Sequence, residues 1–209
     1  SEVYFTSGGT EADNWAVLGG AYAQKAKGKT HVIVSAIEHH AVLYAAEKLQ
    51  KEGFTVTYLP VNEGGRVETS ALKAAITEQT GLVAVMAVNN ETGVIQPVRE
   101  LAEIAHEHGA LFFTDGVQAA PYMPLPVREW GVDMLSLSSH KFFGPKGCGV
   151  LYIKSGVKVE RFVGGGEQER GLRGGTTNVP CVVGLAEAYA QNAGTMSASN
   201  EKIEKLARL

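Results

Sequence analysis

The 209-residue sequence has only two cysteines, Cys148 and Cys181, so it is not a disulfide-stapled domain and a reducing compartment suits it better. It also lacks an excess of positive charge: 19 Lys and Arg against 22 Asp and Glu give a formal net charge of −3. Because proteins that bind nucleic acid or membrane surfaces carry basic patches, we predict neither kind of partner. No apolar run reaches the ~18 residues of a membrane-spanning helix, and we expect a cytoplasmic protein.

Apolar residues and glycine, by contrast, are plentiful. Hydrophobic residues make up 44% of the chain, enough for a sizeable core, which excludes a disordered protein. Many of the 25 glycines stand in clusters, as expected where backbone approaches a ligand closely. The chain begins without Met and ends in a charged helical pattern without a stop signal, so we expect a segment of a longer protein.

Short, mostly apolar β-branched runs alternate with helical patterns along the chain. The predicted strands are residues 3–5, 31–35, 55–59, 82–88, 110–114, 134–137 and 149–153. The predicted helices are residues 10–27, 41–52, 69–80, 98–108, 182–192 and 198–209, the last two separated by a break at Gly194. This alternation predicts an α/β fold, a three-layer sandwich around a mainly parallel sheet. Such sheets bind ligands at the carboxyl ends of their strands.

Polar side chains follow several of these strand ends. The Gly8-Gly9-Thr10 turn opens a helix and suits a phosphate, although an ordinary N-cap at Thr10 is the alternative. His39 and His40 are adjacent and point in different directions, so one of them faces the strand ends at most. Asn89-Asn90 either forms a turn or holds a polar substrate.

The later strand ends carry a carboxylate, a lysine and a long polar loop. Asp115 follows an apolar strand, where burial requires a cationic or donor partner; the alternative is an exposed helix cap. Lys141 is flanked by His140 and two phenylalanines, and a lysine in an apolar, partly cationic pocket is a good imine former. The glycine-rich loop over 164–178 is either a flexible linker or, as its length and two arginines favour, a functional segment.

These groups fit one cofactor. Pyridoxal phosphate needs a lysine amine, an acid at the ring nitrogen, a partner for the phenolic oxygen, an aromatic face and a phosphate cup. Six ordered motifs make the whole chain resemble the fold-type I pyridoxal phosphate enzymes of aminotransferase class V, and more closely the NifS/IscS-type cysteine desulfurases. The motifs are Ser7-Gly8-Gly9-Thr10-Glu11-Ala12-Asp13-Asn14, Glu38-His39, Val88-Asn89-Asn90-Glu91-Thr92-Gly93, Asp115-Gly116-Val117-Gln118, Ser138-Ser139-His140-Lys141 with Gly144-Pro145-Lys146-Gly147, and Gln168-Glu169-Arg170-Gly171-Leu172-Arg173-Gly174-Gly175-Thr176.

The resemblance implies roles around the cofactor ring. Lys141 would bind the cofactor as an imine and later shuttle protons, and Asp115 would pair with the ring nitrogen. Gln118 would donate to the phenolic oxygen, His39 would stack on the ring, and Asn90 would help to position the substrate.

The resemblance also implies a phosphate site and a partner. Gly9, Thr10, Ser138 and His140 would cup the phosphate. Thr176 would complete the phosphate site of a neighbouring subunit, which implies a homodimer.

The reaction implied is the conversion of L-cysteine to L-alanine, with the sulfur passing to an enzyme cysteine as a persulfide and then to iron–sulfur scaffold or other acceptor proteins. In the family that cysteine lies on a loop well after the Thr176 segment, so neither Cys148 nor Cys181 is predicted to accept sulfur. Residues 1–209 would be a partial large domain, without the N-terminal segment and the C-terminal small domain that carries a substrate-binding arginine. We expect this chain alone not to turn over.

Two alternatives stay open at this point. Another class V aminotransferase or lyase would share Asp115, Gln118 and Lys141 but need no cysteine loop beyond Leu209. A non-catalytic module built on the same fold would make the site residues incidental, although six intact motifs argue against it.

Overall fold

The computed structural model of the chain describes residues 2–208. Seven strands form one sheet: β1 (Val3–Thr6), β2 (His31–Ser35), β3 (Thr55–Leu59), β4 (Thr80–Ala84), β5 (Leu111–Asp115), β6 (Met134–Ser138) and β7 (Gly149–Ile153). Their order is β1-β7-β6-β5-β4-β2-β3, and β7 runs antiparallel to both of its neighbours while the other pairs are parallel. The predicted mainly parallel α/β sheet is thereby confirmed.

The helices lie between the strands and after the last one. They are α1 (Gly9–Asn14), α2 (Gly20–Lys25), α3 (His40–Lys51), α4 (Thr69–Ala75), α5 (Val98–Glu107), α6 (Val127–Trp130) and α7 (Val179–Ala207). A π-helical stretch, Trp15–Gly19, joins α1 to α2, so residues 9–25 are continuously helical. Within residues 2–208, no helix combines the length and apolar character needed to cross a membrane.

Alternating side chains of the strands build a core on each face of the sheet. Val32 and Val34 of β2 pack in one core with the first helices and α3. Ile33, between them, packs in the other core with α4 and α5. Because successive strand residues point to opposite faces, both faces of these apolar strands are covered, which produces the predicted three layers.

Two predicted boundaries around β4 are wrong. The helix predicted over 69–80 ends at Ala75, and Thr80 instead begins β4 because its hydroxyl bonds the Thr77 amide and the His31 ring. The strand predicted over 82–88 ends at Ala84, although the amides of Val85 and Ala87 still donate to carbonyls of β5. Residues 85–88 therefore extend along the sheet edge without belonging to the strand.

The predicted break at Gly194 is also wrong, because α7 continues through it. The side-chain amide of Asn192 donates to the Pro121 carbonyl at 3.3 Å, and the side-chain amide of Asn200 donates to the Tyr122 carbonyl at 2.8 Å. These anchors on both sides of Gly194 offset its low helix propensity. Leu209, the predicted helix end, lies outside the described residues.

Strand direction decides where the polar segments meet. β1, β2, β4, β5 and β6 run the same way, so their carboxyl ends share one edge of the sheet. β7 runs the opposite way and contributes its amino end there. This edge is where the sheet positions the candidate site.

Candidate active site

A cavity of about 420 Å³ opens at this edge. Nine of the ten residues predicted from the sequence line it: Gly9, Thr10, His39, Asn90, Asp115, Gln118, Ser138, His140 and Lys141. The tenth, Thr176, lies elsewhere. Five segments, distant in the sequence, thus contribute polar groups to one concave surface.

Gly8 and Gly9, which we call the glycine wall, form one side of the cavity. Gly8 occupies the N-cap position of α1, and no side chain in the described part of the chain caps the helix. The alternative of a Thr10 N-cap is thereby wrong, because Thr10 lies inside the first turn. A Cβ on Gly9 would approach Val117 Cγ2 at 2.9 Å and Ser138 Cβ at 3.2 Å, so only glycine brings the backbone this close. First-turn amides without a capping side chain can receive an anion.

Ser138 and His140 lie beside the glycine wall. Ser138 ends β6, and its hydroxyl lies 3.0 Å from His140 Nδ1. Burial lowers the pKa of His140, and the positive charges of Lys141 and Lys146 lower it further. The side of the cavity next to the glycine wall therefore carries hydroxyl, imidazole and ammonium groups.

Asp115 lies in the floor of the cavity. It is the last residue of β5 and only 4% exposed, which excludes the alternative of an exposed helix cap. Its Oδ1 accepts from the Val117 amide at 2.8 Å and from the Ser136 hydroxyl at 3.4 Å. Burial raises the pKa of Asp115, while the Val117 hydrogen bond and the nearby His39 and Lys141 oppose that rise.

Two further buried acids, Asp13 and Glu38, belong to the motifs quoted from the sequence but were assigned no role there. Asp13 lines the cavity, and burial together with Asp115 raises its pKa well above the ordinary value. Its sequence position carries a signal: Asp13 falls in the helical stripe of Gly9, Ala12 and Ala16, all of them buried, where a carboxylate is out of place. Glu38 is buried directly before His39.

The two adjacent pairs, of histidine and of asparagine, divide their roles. His39 lines the cavity and caps α3, its Nδ1 accepting from the Ala41 amide at 3.1 Å, whereas the His40 ring contacts Tyr44. Asn89 is buried and its Oδ1 accepts from the backbone of the turn that follows, so the turn alternative holds for this residue. Asn90 lines the cavity.

Lys141 follows β6 in a short 3₁₀ turn and lines the cavity. The expectation that the two phenylalanines beside it contribute to its pocket is wrong. Phe142 is buried in the core beneath, where its ring contacts Tyr189, and Phe143 is 89% exposed to solvent. The 3₁₀ turn directs neighbouring side chains to different sides, so neither phenylalanine is among the residues that line the cavity.

The polar loop over 164–178 is docked against the domain, which excludes the flexible-linker alternative. Glu169 accepts a hydrogen bond from the β1 backbone at 3.0 Å, and Arg170 donates to that strand at 2.8 Å. Arg173 donates to both carboxylate oxygens of Glu11, at 2.8 and 3.0 Å. Thr176 lines a second cavity of about 200 Å³, which shares Ser7 and Gly147 with the first.

Comparison with known proteins matches the whole chain to one family. The family profile described as aminotransferase class-V covers residues 1–209. The chain is 50% identical over 206 residues to a protein named cysteine desulfurase IscS from Clostridium botulinum, covering 99% of this chain and 52% of that protein. A cysteine desulfurase IscS from Methanosarcina thermophila is also 50% identical, with 99% and 51% covered. The chain thus spans about half the length of the curated relatives it matches.

Solved structures give the same result. A structure titled NifS-like protein superposes with a TM-score of 0.95 at 41% identity, covering 99% of this chain and 57% of that one. The structure of DndA from Streptomyces lividans superposes with a TM-score of 0.89 at 40% identity, covering 94% and 57%. The sheet and its surrounding helices are therefore shared with proteins of this kind.

Proposed function

Because the chain belongs to the aminotransferase class V family, we propose that the protein is a pyridoxal phosphate-dependent cysteine desulfurase. The observation that carries the proposal is the single cavity that unites Lys141, Asp115 and His39. The sequence identity of 50% to relatives named cysteine desulfurase favours this reaction over that of another class V enzyme. A non-catalytic module would not need a lysine and a buried carboxylate in one cavity.

The residues present fit the cofactor. The close approach at Gly9 brings the start of α1 next to Ser138, and the uncapped amides, Ser138 and His140 supply donors for a phosphate. Asp115, a buried carboxyl group in the cavity lining, suits a protonated ring nitrogen. When bound, pyridoxal phosphate supplies an electron sink for negative charge at the substrate's α-carbon.

Each side chain then has a distinct task. Lys141 would hold the cofactor through its side-chain amine and would carry a proton to or from the reacting carbon of the substrate. Asp115 would hold the proton on the ring nitrogen, and His39 would lie against one face of the ring. Gln118 would donate to the phenolic oxygen, and Asn90 would orient the substrate.

The net reaction balances without an external oxidant. L-cysteine gives up its sulfur to the thiol of an acceptor cysteine, which becomes a persulfide, and L-alanine is released. Cys148 is 2% exposed and Cys181 is half-buried at the start of α7, so both suit packing rather than sulfur transfer. We assign sulfur acceptance to a cysteine of the protein outside these residues, with iron–sulfur scaffold or other acceptor proteins as partners.

Thr176 is assigned to a neighbouring subunit. It lines the second cavity and not the first, so its own chain does not use it at the glycine wall. A homodimer in which Thr176 completes the partner's phosphate site accounts for this placement.

The test is covalent trapping at Lys141. The protein is incubated with pyridoxal phosphate, reduced with borohydride, digested and examined by mass spectrometry. We expect the label on Lys141, its loss in Lys141→Ala, and its retention in the matched control Lys146→Ala, a lysine outside the cavity lining. Labelling of other lysines with no label on Lys141 in the wild-type protein contradicts the proposal.

A further inference from the structure

Glu38 is a buried acid for which the proposed function gives no task. It is 5% exposed and lies between the end of β2 and the start of α3. Its Oε1 accepts from the Ser35 hydroxyl at 2.5 Å and from the Met86 amide at 2.7 Å. Its Oε2 is buried and has no hydrogen-bond partner among residues 2–208. One oxygen thus accepts both hydrogen bonds, as the carbonyl oxygen of a protonated acid does.

The charges around Glu38 oppose its ionisation. Asp13 and Asp115, both buried, lie close enough to interact with each other electrostatically, and Asp115 also acts on Glu38. His39 and Lys141 oppose the rise in the pKa of Asp115. The described residues contain no group of three or more acidic, histidine or cysteine side chains arranged to hold a metal ion. Because an unpaired buried carboxylate is far costlier than an unbonded hydroxyl, a proton is the remaining means of neutralising Glu38.

The hydrogen bond between Glu38 and Met86 joins two segments that carry site residues, and the bond from Ser35 holds Glu38 to the end of its own strand. Ser35 ends β2, four residues before His39, and Met86 lies in the extended segment that leads to Asn90. A second hydrogen bond links the same two segments, because the side-chain amide of Asn89 donates to the Ile37 backbone carbonyl at 2.9 Å. The Glu38–Met86 bond and the Asn89–Ile37 bond therefore tie the segment that carries His39 to the segment that carries Asn90.

We propose that Glu38 is a positioning residue, a neutral acid at physiological pH that clamps the segment carrying His39 to the segment carrying Asn90. The tasks of His39 and Asn90 rest on the proposed function. The proton on Glu38 and the clamp itself depend only on this chain's own contacts.

The expected pH dependence follows from the burial of Glu38. Burial raises its pKa to about 8 from an ordinary 4.5; the Ser35 and Met86 hydrogen bonds oppose the rise, and the Asp115 charge adds to it. Between these two values the folded protein holds a proton that the unfolded chain has released. Stability from this group therefore falls as pH rises from about 4.5 to about 8 and is then constant.

The first experiment compares urea unfolding of the wild-type chain with Glu38→Gln, whose amide oxygen can accept both hydrogen bonds without a proton. We expect the wild-type unfolding constant to rise about tenfold per pH unit relative to Glu38→Gln, up to about pH 8. The matched control Glu47→Gln, at an exposed position on α3, should follow the wild type. If the ratio of the wild-type to the Glu38→Gln unfolding constant is independent of pH or falls with pH, the proposal that Glu38 is a neutral acid is overturned.

The second experiment tests the clamp itself by nuclear magnetic resonance of the chain without cofactor. We expect the Met86 backbone amide and the Asn90 side-chain amide to shift with a midpoint near pH 8 in wild type and not in Glu38→Gln. Identical behaviour in the two proteins overturns the clamp. Failure of Lys141 labelling would contradict the proposed function and leave both of these readouts unchanged, so the two failures are distinguishable.

Discussion

Two sets of carboxyl groups lie within the same fold and behave in opposite ways. Around the floor of the cavity, burial raises the pKa of Asp13, which lines the cavity, and of Glu38, which does not, and neighbouring acids raise both pKa values further. At the rim, burial likewise acts to raise the pKa of Glu11, but hydrogen bonds from Arg173 and the Ser7 amide lower it overall. Burial thus favours the neutral form of the carboxyl group in the floor, and the Arg173 pairing favours its charged form at the rim.

The difference shows that partners, and not burial alone, decide the charge of an acid. Glu11 is partly buried yet receives a bidentate guanidinium, which favours its charged form. The floor acids are more deeply buried and face one another. The ion pair between Glu11 and Arg173 therefore holds the polar loop in place, whereas the buried floor acids have no such partner within the described residues and their pKa values are raised.

The largest effect that sharpens this comparison is expected from Asp13→Asn. Since the folded protein holds a proton on Asp13 above the ordinary pKa of 3.8, wild-type stability from this group falls as pH rises. The variant has no such pH-dependent loss. Its free energy of unfolding relative to the wild type should therefore rise by about 1.4 kcal/mol per pH unit over the range in which wild-type Asp13 stays protonated. Urea unfolding from pH 5 to pH 8 measures it. If Asp13→Asn instead becomes less stable than the wild type as pH rises, Asp13 is ionised in the folded protein and has a positively charged or hydrogen-bonding partner.

The rim should respond in the opposite direction. Arg173→Ala removes two charge-assisted hydrogen bonds to a part-buried carboxylate, and we expect a loss of about 1–3 kcal/mol at pH 7. Because the pKa of Glu11 is lowered, this contribution is present above 4.5 and is lost as pH falls through the folded value.

Thermal unfolding at pH 7 and pH 3 measures the rim effect. The matched control is Arg99→Ala, which breaks an ion pair to Glu103 on the exposed face of α5 and should not change the stability measurably. Equal losses in the two variants would show that the loop is not held by its ion pair.

The smallest effect is expected at a position outside both regions and calibrates them. Gly194→Ala adds a methyl group where no atom lies within 4 Å, inside the continuous helix α7. We expect a gain of about 0.5–1 kcal/mol, independent of pH, because alanine has the higher helix propensity. Unfolding at two pH values checks it, and a loss of stability would restore the helix break predicted from the sequence.

Sequence patterns located most of the fold and most of the cavity lining. Apolar runs predicted the seven strands because strands buried on both faces are nearly all apolar, as β2 is. Polar residues after strand ends, such as Asp115 and Asn90, could be grouped because parallel strands end at one edge. Their chemical roles stay predictions.

Other features depend on contacts between distant segments. The end of the helix predicted to reach Thr80 depends on the bond from Thr80 to His31, and the continuity of α7 depends on Asn192 and Asn200. The surroundings of Lys141 were misjudged because a 3₁₀ turn, which has no periodic sequence signal, separates it from Phe142 and Phe143.

The sequence by itself determined the layers, the strand ends and the residue types gathered there, since these follow from local periodicity and strand direction. Tertiary structure alone decided the charge states. The charge of Glu11 depends on the guanidinium of Arg173, 162 residues away in the sequence. The neutral form of Glu38 depends on its burial near other acids and on the backbone amide of Met86, 48 residues away. Electrostatic energy depends on distance and burial in space, and neither can be read from the order of residues.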